Sequence, residues 1–303
     1  MTQNTGQYTG RHTGRNTGQY GERQSGPRGD GSAPVVLVTT ATGKTGRRVA
    51  ERLTELGYGV RAGSRTGEVR FDWEDPAGWG PALAGADLAY VAYYPELAVP
   101  EAVPALREFG RQAVAHGVRR LVVLSGRGEA GAVRAEAALR EAGAEVTAVR
   151  AAFFAENFSE GLFREAVIGG GLAFPAGATA EPFVTAEDVA EVATAVLTGA
   201  APAGAVYEVT GPRALTFGEA LMEIGRAAGR EVRYEAVSTA EYATLLEGYG
   251  LPGPEAGFLA ELFAGILDGR NTPVSDGVER ALGRAPREFA AYAREAADAG
   301  AWD

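Results

Sequence analysis

The chain of 303 residues has no cysteine and only two histidines, His12 and His116. The absence of cysteine excludes disulfides, thiolate nucleophiles and thiolate metal ligands. Two histidines are too few for a histidine-rich metal site or a Ser-His-Asp triad, so we expect no metal. No apolar run approaches the ~18 residues of a membrane helix, and the N-terminus lacks the apolar stretch of a signal peptide. We therefore expect a soluble, cytoplasmic protein that does not enter a membrane.

Basic residues are also in the minority. Lys and Arg number 29 against 39 Asp and Glu, which gives a net charge of −10, and the one lysine is Lys44. Nucleic-acid binding needs a basic face, so we expect a small-molecule substrate and no nucleic acid. Apolar residues are present in ordinary amount, 46% of the total. They suffice for a sizeable core in at most about two domains.

Residues 1–33 form a polar tail in which Thr-Gly pairs recur at 5–6, 9–10, 13–14 and 17–18. The tail has almost nothing to bury, so we predict that it is disordered. After it we predict a dinucleotide-binding core over residues 34–150. Residues 151–303 are predicted to complete that fold and to carry a smaller, mostly helical substrate lobe.

The first strand and helix of the core are predicted from their apolar spacing. Residues 34–40 (PVVLVTT) are a Val-rich run, typical of a strand buried on both faces. Val49, Leu53 and Leu56 follow at helical spacing. Strands and helices then alternate, which predicts an α/β fold of the Rossmann type with a doubly wound parallel sheet. Further strands are expected at residues 59–62, 69–71, 88–93, 120–124, 145–149, near 183 and at 206–209.

Helix starts in the second half of the chain carry their own signals. Thr216 with Glu219, and Ser238 with Glu241, have the spacing of a capping box, in which two side chains satisfy each other's backbone N–H groups. Asp188 lies just ahead of another predicted helix. We interpret it as the N-cap of that helix rather than as a catalytic acid.

A glycine-containing turn (TTATGKTG, residues 39–46) joins the first strand to the first helix. A dinucleotide needs its pyrophosphate close to backbone N–H groups at a helix N-terminus, and side chains there would block the approach. Gly43 permits that approach, and Gly46 lets the helix pack on the strand. A tight turn without a ligand is the alternative. The predicted cofactor contacts of this turn are Thr40, Thr42, Gly43, Lys44, Thr45 and Gly46.

The turn resembles the T-G-A-T-G-x-x-G opening of the NmrA-like family of atypical short-chain dehydrogenase/reductases. The likeness covers residues 34–295 and includes residues 61, 64–65, 71–73, 124–126, 153–158, 181–184, 188–190 and 282–289. Within the family, the layout is similar to the group that contains agroclavine dehydrogenase, festuclavine synthase and NAD(P)H:quinone reductase-like enzymes. The resemblance implies a Rossmann fold that binds NAD(P).

Two departures from the family pattern affect the expected chemistry. Thr40 stands where the first motif glycine is usual, and its side chain is predicted to narrow the turn. The Tyr-x-x-x-Lys of the superfamily is absent, because the stretch after Ser125 (GRGEAGAVRAEAAL) has neither residue. The resemblance therefore implies dinucleotide binding without the Tyr/Lys alcohol-dehydrogenase mechanism.

The end of the second strand favours NADP(H) over NAD(H). An NAD site places an acid on the ribose hydroxyls there, whereas the 2′-phosphate of NADP needs a cation. Here the strand ends without an acid, and Arg65 is the best candidate for a bidentate phosphate contact, assisted by Arg61 or Ser64. Solvated arginines are the alternative. The resemblance places Asp72, next to Trp73, at the adenine, and a turn-forming Asp is the alternative there.

Polar and aromatic residues follow the fourth and fifth strands, where the nicotinamide is expected. Tyr93, Tyr94, Ser125 and Arg127 are the catalytic candidates. Either tyrosine could donate a proton or bind a developing oxyanion, and Arg127 or Glu129 could orient a polar substituent. The alternative for the tyrosines is an ordinary place in the core.

A pocket wall is predicted from Phe153, Phe154 and Asn157, which follow the sixth strand. An aromatic crevice with few ionisable groups suits hydride transfer to a flat, conjugated acceptor such as a quinone, an enone or an iminium. Apolar residues of the lobe either roof this cleft or form a subunit interface, so a monomer and a homodimer both remain open. They are Tyr242, Tyr249, Leu251, Phe258, Leu259, Leu262 and Phe263.

These features favour an NADPH-dependent oxidoreductase of secondary metabolism. Two alternatives remain open, because a fold alone does not decide a function. One is a non-catalytic NAD(P)-binding sensor, a role that the resemblance also implies. The other is a biosynthetic isomerase or cyclisation auxiliary on the same fold.

Overall fold

A computed structural model describes residues 32–303, so the predicted disordered tail of residues 1–33 lies outside the described residues except for its last two. The described strands are β1 (Val35–Val38), β2 (Gly59–Ser64), β3 (Val69–Arg70), β4 (Leu88–Val91), β5 (Arg120–Gly126), β6 (Glu145–Ala151), β7 (Gly171–Phe174), β8 (Ala180–Glu181), β9 (Val206–Val209), β10 (Leu215–Thr216) and β11 (Arg233–Ala236). Seven of them form a parallel sheet in the order β3-β2-β1-β4-β5-β6-β9. This sheet confirms the predicted doubly wound α/β fold.

The strands are joined by helices that cover both faces of the sheet. The described helices are α1 (Lys44–Glu55), α2 (Trp79–Leu83), α3 (Ala102–Ala115), α4 (Ala130–Arg140), α5 (Arg164–Ile168), α6 (Ala186–Thr198), α7 (Phe217–Ala228), α8 (Thr239–Gly248), α9 (Gly253–Ile266), α10 (Gly277–Leu282) and α11 (Phe289–Asp298). Helices α1 and α6 pack together on one face, and α3 and α4 pack together on the other.

The first strand shows why the sheet is buried on both sides. Val36 and Val38 belong to the core that α1 and α6 complete. Leu37, between them, points to the opposite face and joins Phe109 of α3 and Leu139 of α4. Successive side chains of a strand alternate between faces, so a continuous apolar run supplies both layers.

Residues after Ala151 build a second core beside the carboxyl ends of the strands. Its centre is a set of phenylalanine rings, with Phe174 at 4.8 Å, centroid to centroid, from both Phe163 and Phe217. Two small sheets support it, a parallel pair of β7 and β11 and an antiparallel pair of β8 and β10. These short strands are largely absent from the sequence-based prediction.

Helix starts in this half test the predicted caps. The boxes Thr216–Glu219 and Ser238–Glu241 are both formed, which confirms them. The prediction for Asp188 is wrong, because Thr185 is the N-cap of α6 and accepts a hydrogen bond from the backbone N–H of Asp188. The buried carboxylate of Asp188 instead accepts hydrogen bonds from Arg284 and from the backbone N–H of Arg287.

The strand order determines where a ligand can bind. From β1 the chain proceeds to β2 and β3 on one side, and then returns to β4 and β5 on the other. A crevice opens outside the carboxyl ends of strands at such a reversal, and ligands of open α/β sheets bind there. The predicted site residues after β1, β4 and β5 therefore converge on one edge of the sheet.

Candidate active site

The turn between β1 and α1 is anchored by the residue that departs from the family pattern. Thr40 has a left-handed backbone with φ of 50°, a conformation in which glycine is usual. Its hydroxyl donates a 2.8 Å hydrogen bond to the carbonyl oxygen of Ala92, just after β4. Thr40 therefore ties the turn to the neighbouring strand, which a glycine would not do.

The glycines of the turn allow the helix to approach the strand. A Cβ at Gly46 would lie 2.4 Å from the carbonyl oxygen of Thr40, closer than real contacts allow. Gly43 is the N-cap of α1, and no described side chain caps this helix start. The first N–H groups of the helix therefore have no acceptor from an N-cap side chain, as an anion site requires. Thr45 accepts a 2.8 Å hydrogen bond from the buried hydroxyl of Tyr90.

Lys44 connects the turn to the segment that follows β6. Its Nζ donates a 2.7 Å hydrogen bond to Oδ1 of Asn157. Burial lowers the pKa of Lys44, although the carboxylates of Glu160 and Glu156 act in the opposite direction. Two residues predicted for different roles, cofactor contact and pocket wall, are thus direct partners.

A cavity of about 240 Å³ lies on the β2 side of the turn. Arg65 lines it, with its Cζ 5.2 Å from the ring centroid of Tyr94. The geometry is that of a cation over an aromatic face. The cavity lining consists of Thr40, Thr42, Gly43, Ser64, Arg65, Phe71, Asp72, Trp73, Glu74 and Tyr94.

Arg61 does not share this cavity. Its guanidinium donates hydrogen bonds of 2.8 and 2.7 Å to the backbone carbonyls of Ala82 and Pro81, in α2. The structure therefore places Arg61 away from the predicted phosphate contact, because its guanidinium is held by these carbonyls. The carboxylate of Asp72 accepts a hydrogen bond from the backbone N–H of Glu74, so the predicted turn role and the cavity lining coexist.

A larger cavity of about 420 Å³ lies on the other side of the turn, beyond β4, β5 and β6. Six of the predicted catalytic and pocket residues line it, namely Tyr93, Ser125, Arg127, Phe153, Phe154 and Asn157. Tyr94 is instead 55% exposed and lines the smaller cavity. The structure therefore separates the two tyrosines that the sequence treats as equivalent.

The polar candidates of the larger cavity already have protein partners. Ser125 donates a 2.6 Å hydrogen bond to Oε1 of the buried Glu136. Arg127 donates to Glu208 at 3.0 Å and to the backbone carbonyl of Asn271 at 2.6 Å, and its side chain is only 10% exposed. Both groups are fixed in orientation, and neither is a free proton donor.

Three carboxyl groups line the larger cavity, on Glu96, Glu129 and Glu181. Burial and the neighbouring Glu96 raise the pKa of Glu129 to about 8. Burial also raises the pKa of Glu96, and it raises that of Glu181 to about 7 despite the opposing charge of Arg127. Sequence reasoning missed Glu96 and Glu181. The available signal was that Glu96 follows β4, as Glu129 follows β5.

The lobe closes the cavity from above. Leu262, Phe263 and Ile266 of α9 line it, and two of these are among the predicted roof residues. Tyr242 is buried in the core of the lobe, whereas Tyr249 is exposed on its surface. Among residues 32–303 no group of three His, Asp or Glu side chains is arranged to hold a metal ion. Within the same residues no helix is long and apolar enough to cross a membrane.

Comparison with known proteins finds relatives over almost the whole described chain. No protein-family model matches. The chain is 33% identical to the uncharacterised oxidoreductase YesF of Bacillus subtilis over 279 residues, which cover 88% of this chain and 96% of that protein. It is 27% identical to agroclavine dehydrogenase of Claviceps fusiformis over 276 residues, which cover 85% and 95% of the two chains.

A solved structure shares the fold. The NADPH-dependent quinone oxidoreductase of Escherichia coli, complexed with NADPH, superposes with a TM-score of 0.69 at 23% identity. The match covers 86% of this chain and 99% of that one. The likeness extends through both the sheet and the lobe that closes the larger cavity.

Proposed function

Because the chain belongs to the NmrA-like family of atypical short-chain dehydrogenase/reductases and is an NAD(P)H-dependent oxidoreductase, we propose that it transfers hydride from NADPH to a conjugated, mostly apolar acceptor. The observation that carries this proposal is the arrangement of the two cavities. Thr40 and Gly43 line both, so the cavities meet at the start of α1. The two cavities thus form one crevice that would hold a dinucleotide along its length and an acceptor in the larger cavity.

The smaller cavity supports a choice of NADP(H). Arg65 is the guanidinium that lines it, while Arg61 is held by α2. Backbone groups of the turn would hold the pyrophosphate at the start of α1, and Asp72 with Trp73 would border the adenine. Ser64 lies beside Arg65 in the same lining and would assist a 2′-phosphate contact.

The larger cavity supports a flat acceptor. Its wall is formed by Tyr93, Phe153 and Phe154, and its roof by Leu262 and Phe263. When bound, NADPH supplies the hydride, so the chain's own task is to orient the acceptor and to exclude water. A quinone, an enone or an iminium fits these surfaces without a Tyr-x-x-x-Lys dyad.

The cofactor proposal is tested by titrating the wild type and two variants with NADPH and with NADH. Binding is followed by the fluorescence of the reduced nicotinamide. Arg65→Ala should raise the Kd for NADPH by about tenfold or more, since a charge-assisted phosphate contact is lost. The Kd for NADH should change little. Arg61→Ala is the matched control and should leave the ratio of the two Kd values unchanged. Equal weakening of both cofactors by Arg65→Ala would contradict the assignment.

The reaction is tested on the same samples with a panel of quinones, enones and iminium salts. NADPH oxidation that depends on an acceptor supports the proposed reductase. Tight binding without oxidation across the panel would instead support the sensor or the isomerase. Failure to bind either cofactor would overturn the proposal.

A further inference from the structure

Glu129 occupies an unusual position at the start of α4. It is the N-cap residue of that helix, yet its side chain makes no capping hydrogen bond. The carboxyl group folds back over the end of β5 instead, where a Cβ at Gly126 would lie 2.2 Å from its Oε1. A side chain at residue 126 would displace this carboxyl group, and Gly126 leaves room for it. The carboxyl group therefore lies in the larger cavity, at the strand end where an acceptor is expected.

A second carboxyl group is brought to the same place by close backbone packing. A Cβ at Gly131 of α4 would lie 2.1 Å from the carbonyl oxygen of Ala98. The loop after β4 is therefore pressed against the first turn of α4, and Glu96 in that loop lines the cavity together with Glu129. One Glu96 oxygen accepts a 3.3 Å hydrogen bond from the backbone N–H of Ala98.

Two carboxyl oxygens in this cavity lack partners. Oε2 of Glu129 and Oε1 of Glu181 are buried and have no hydrogen-bond partner among the described residues. Glu181 comes from β8, in the lobe, and is only 2% exposed. Buried polar atoms are nearly always satisfied, and exceptions in a cavity are explained by a catalytic role or by a bound ion or water. The nearby cation, Arg127, is already bound by Glu208.

We propose that Glu129 is the proton donor to a neutral carbonyl acceptor, with Glu96 as the group that returns the proton from solvent. The inference rests on the proposed reductase and names the acid that replaces the missing tyrosine. The O–H bond of Glu129 breaks and an O–H bond forms on the acceptor. The acceptor would gain its two electrons with the hydride that bound NADPH supplies, which would leave NADP⁺. The carboxylate that remains on Glu129 regains its proton through Glu96.

The electrostatics of the cavity agree with this role. The acidic side chains that face Glu129 are Glu96, from the loop after β4, and Glu181, from β8. The cations are Arg127, which is paired, and Lys44, which is bound to Asn157. With a pKa near 8, the Glu129 carboxyl carries its proton at neutral pH. A donor with a pKa close to the working pH transfers protons most effectively.

Tyr93 is the competing donor in the same cavity. Burial, followed by the charges of Glu101 and Glu74, raises the pKa of Tyr93 above its ordinary value. Among residues 32–303 no cation lowers that pKa, whereas the superfamily's tyrosine is paired with a lysine. Tyr93 is therefore the weaker acid of the two, and the cavity wall is the role we assign to it.

The protonated carboxyl can be observed directly in the protein without cofactor. Infrared difference spectra of the wild type against Glu129→Gln should contain a protonated-carboxyl band at neutral pH that titrates near pH 8. Glu141→Gln, at the exposed end of α4, is the matched control. It keeps the Glu129 carboxyl, so the difference spectrum of the wild type against this variant should not contain that band. A Glu129 carboxyl that is already ionised at neutral pH would overturn the proposal.

Kinetics with two acceptor types complete the test. Glu129→Gln should lower kcat by about 100-fold with a neutral quinone or enone. It should lower kcat far less with an iminium salt, whose reduction needs no proton. An equal loss of kcat with both acceptors would indicate a structural role for Glu129. A raised KM for the iminium salt alone would indicate that Glu129 binds the cation. Either result overturns the proton-donor role. Full activity of Glu129→Gln with the neutral acceptor overturns this inference alone, whereas a wild type inert with every acceptor overturns the proposed function as well.

Discussion

The start and the middle of α4 carry glutamates in opposite circumstances. Glu129, at the start, lies in the acceptor cavity with an unpartnered oxygen. Glu136, two turns later, is fully buried but receives hydrogen bonds from both nitrogens of the Arg150 fork at 2.9 Å and from Ser125. Arg140 adds a further ion pair at 3.3 Å. A glutamate carboxyl is therefore fully hydrogen-bonded at residue 136, whereas at residue 129 one of its oxygens has no hydrogen-bond partner among the described residues.

The pKa values of Glu136 and Glu129 shift in opposite directions. Burial by itself raises the pKa of either group. For Glu136 the hydrogen bonds from Arg150 and Ser125 outweigh burial, and the pKa falls below its usual value. For Glu129 burial is the larger cause and the neighbouring carboxyl, Glu96, acts in the same direction, so the pKa rises to about 8. Burial does not decide whether a carboxyl is structural or chemically useful; its partners do.

The largest effect that would test this comparison comes from Glu136→Gln. The change leaves the Arg150 guanidinium without its buried counter-charge, so the free energy of unfolding should fall by about 3 kcal/mol. Urea denaturation at neutral pH measures it. Glu129→Gln, which removes no partner, should change the same free energy far less. Similar losses in the two variants would break the distinction between them.

The fold and the cofactor turn were predictable because their signals are local. A Val-rich run, a glycine turn and an amphipathic helix determine the β1–α1 unit over residues 35–55. The capping boxes are equally local, since each depends on two residues three positions apart. The failure at Asp188 is also informative. Its carboxylate accepts a hydrogen bond from Arg284, almost a hundred residues later, and no local sequence pattern predicts that contact.

The carboxyl groups of the cavity could not be predicted in the same way. Glu96, Glu129 and Glu181 come from three separate segments, and each is an ordinary acidic residue in its own stretch of sequence. Their meeting depends on the close approach of Gly131 to Ala98 and on the lobe that carries β8. Tyr93 and Tyr94 illustrate the same limit, because adjacent residues at a strand end fall into different cavities.

A medium-sized effect should appear in the pH dependence of stability. The folded pKa of Glu129 is raised from 4.5 to about 8, so the folded state binds a proton that the unfolded state releases. This contribution is fully present below about pH 4.5 and is lost as the pH rises towards about 8, at a slope of at most about 1.4 kcal/mol per pH unit. The free energy of unfolding, measured in urea across that interval, should therefore decline less steeply in Glu129→Gln.

Three other carboxyl groups affect that slope. Glu156 and Glu181 have pKa values raised to about 7, mainly by burial, and they act in the same direction in both proteins. Burial also raises the pKa of Glu96, the neighbour of Glu129. The difference between wild type and variant consequently reports on Glu129 and on its interaction with Glu96. It should be steepest between about pH 5.5 and pH 7, where the unfolded state has released the Glu129 proton and the folded state still holds it. Parallel profiles over the whole interval would show that Glu129 is ionised in the folded protein and that the contrast with Glu136 is smaller than the structure indicates.

The smallest effect belongs to the third glutamate of this helix, Glu141, at its C-terminal end. Its carboxylate binds the Arg107 guanidinium of α3 through two hydrogen bonds, of 2.6 and 3.2 Å. Both side chains are more than half exposed, so water and salt screen the pair. A negative charge at a helix C-terminus is also unfavourable, which offsets part of the attraction. Glu141→Gln should therefore leave the urea midpoint unchanged within error at physiological salt, and any loss should disappear as salt is added. A salt-resistant loss of unfolding free energy close to that of Glu136→Gln would contradict this expectation. It would mean that the contribution of each carboxyl to stability depends on its position along α4 rather than on burial with a partner.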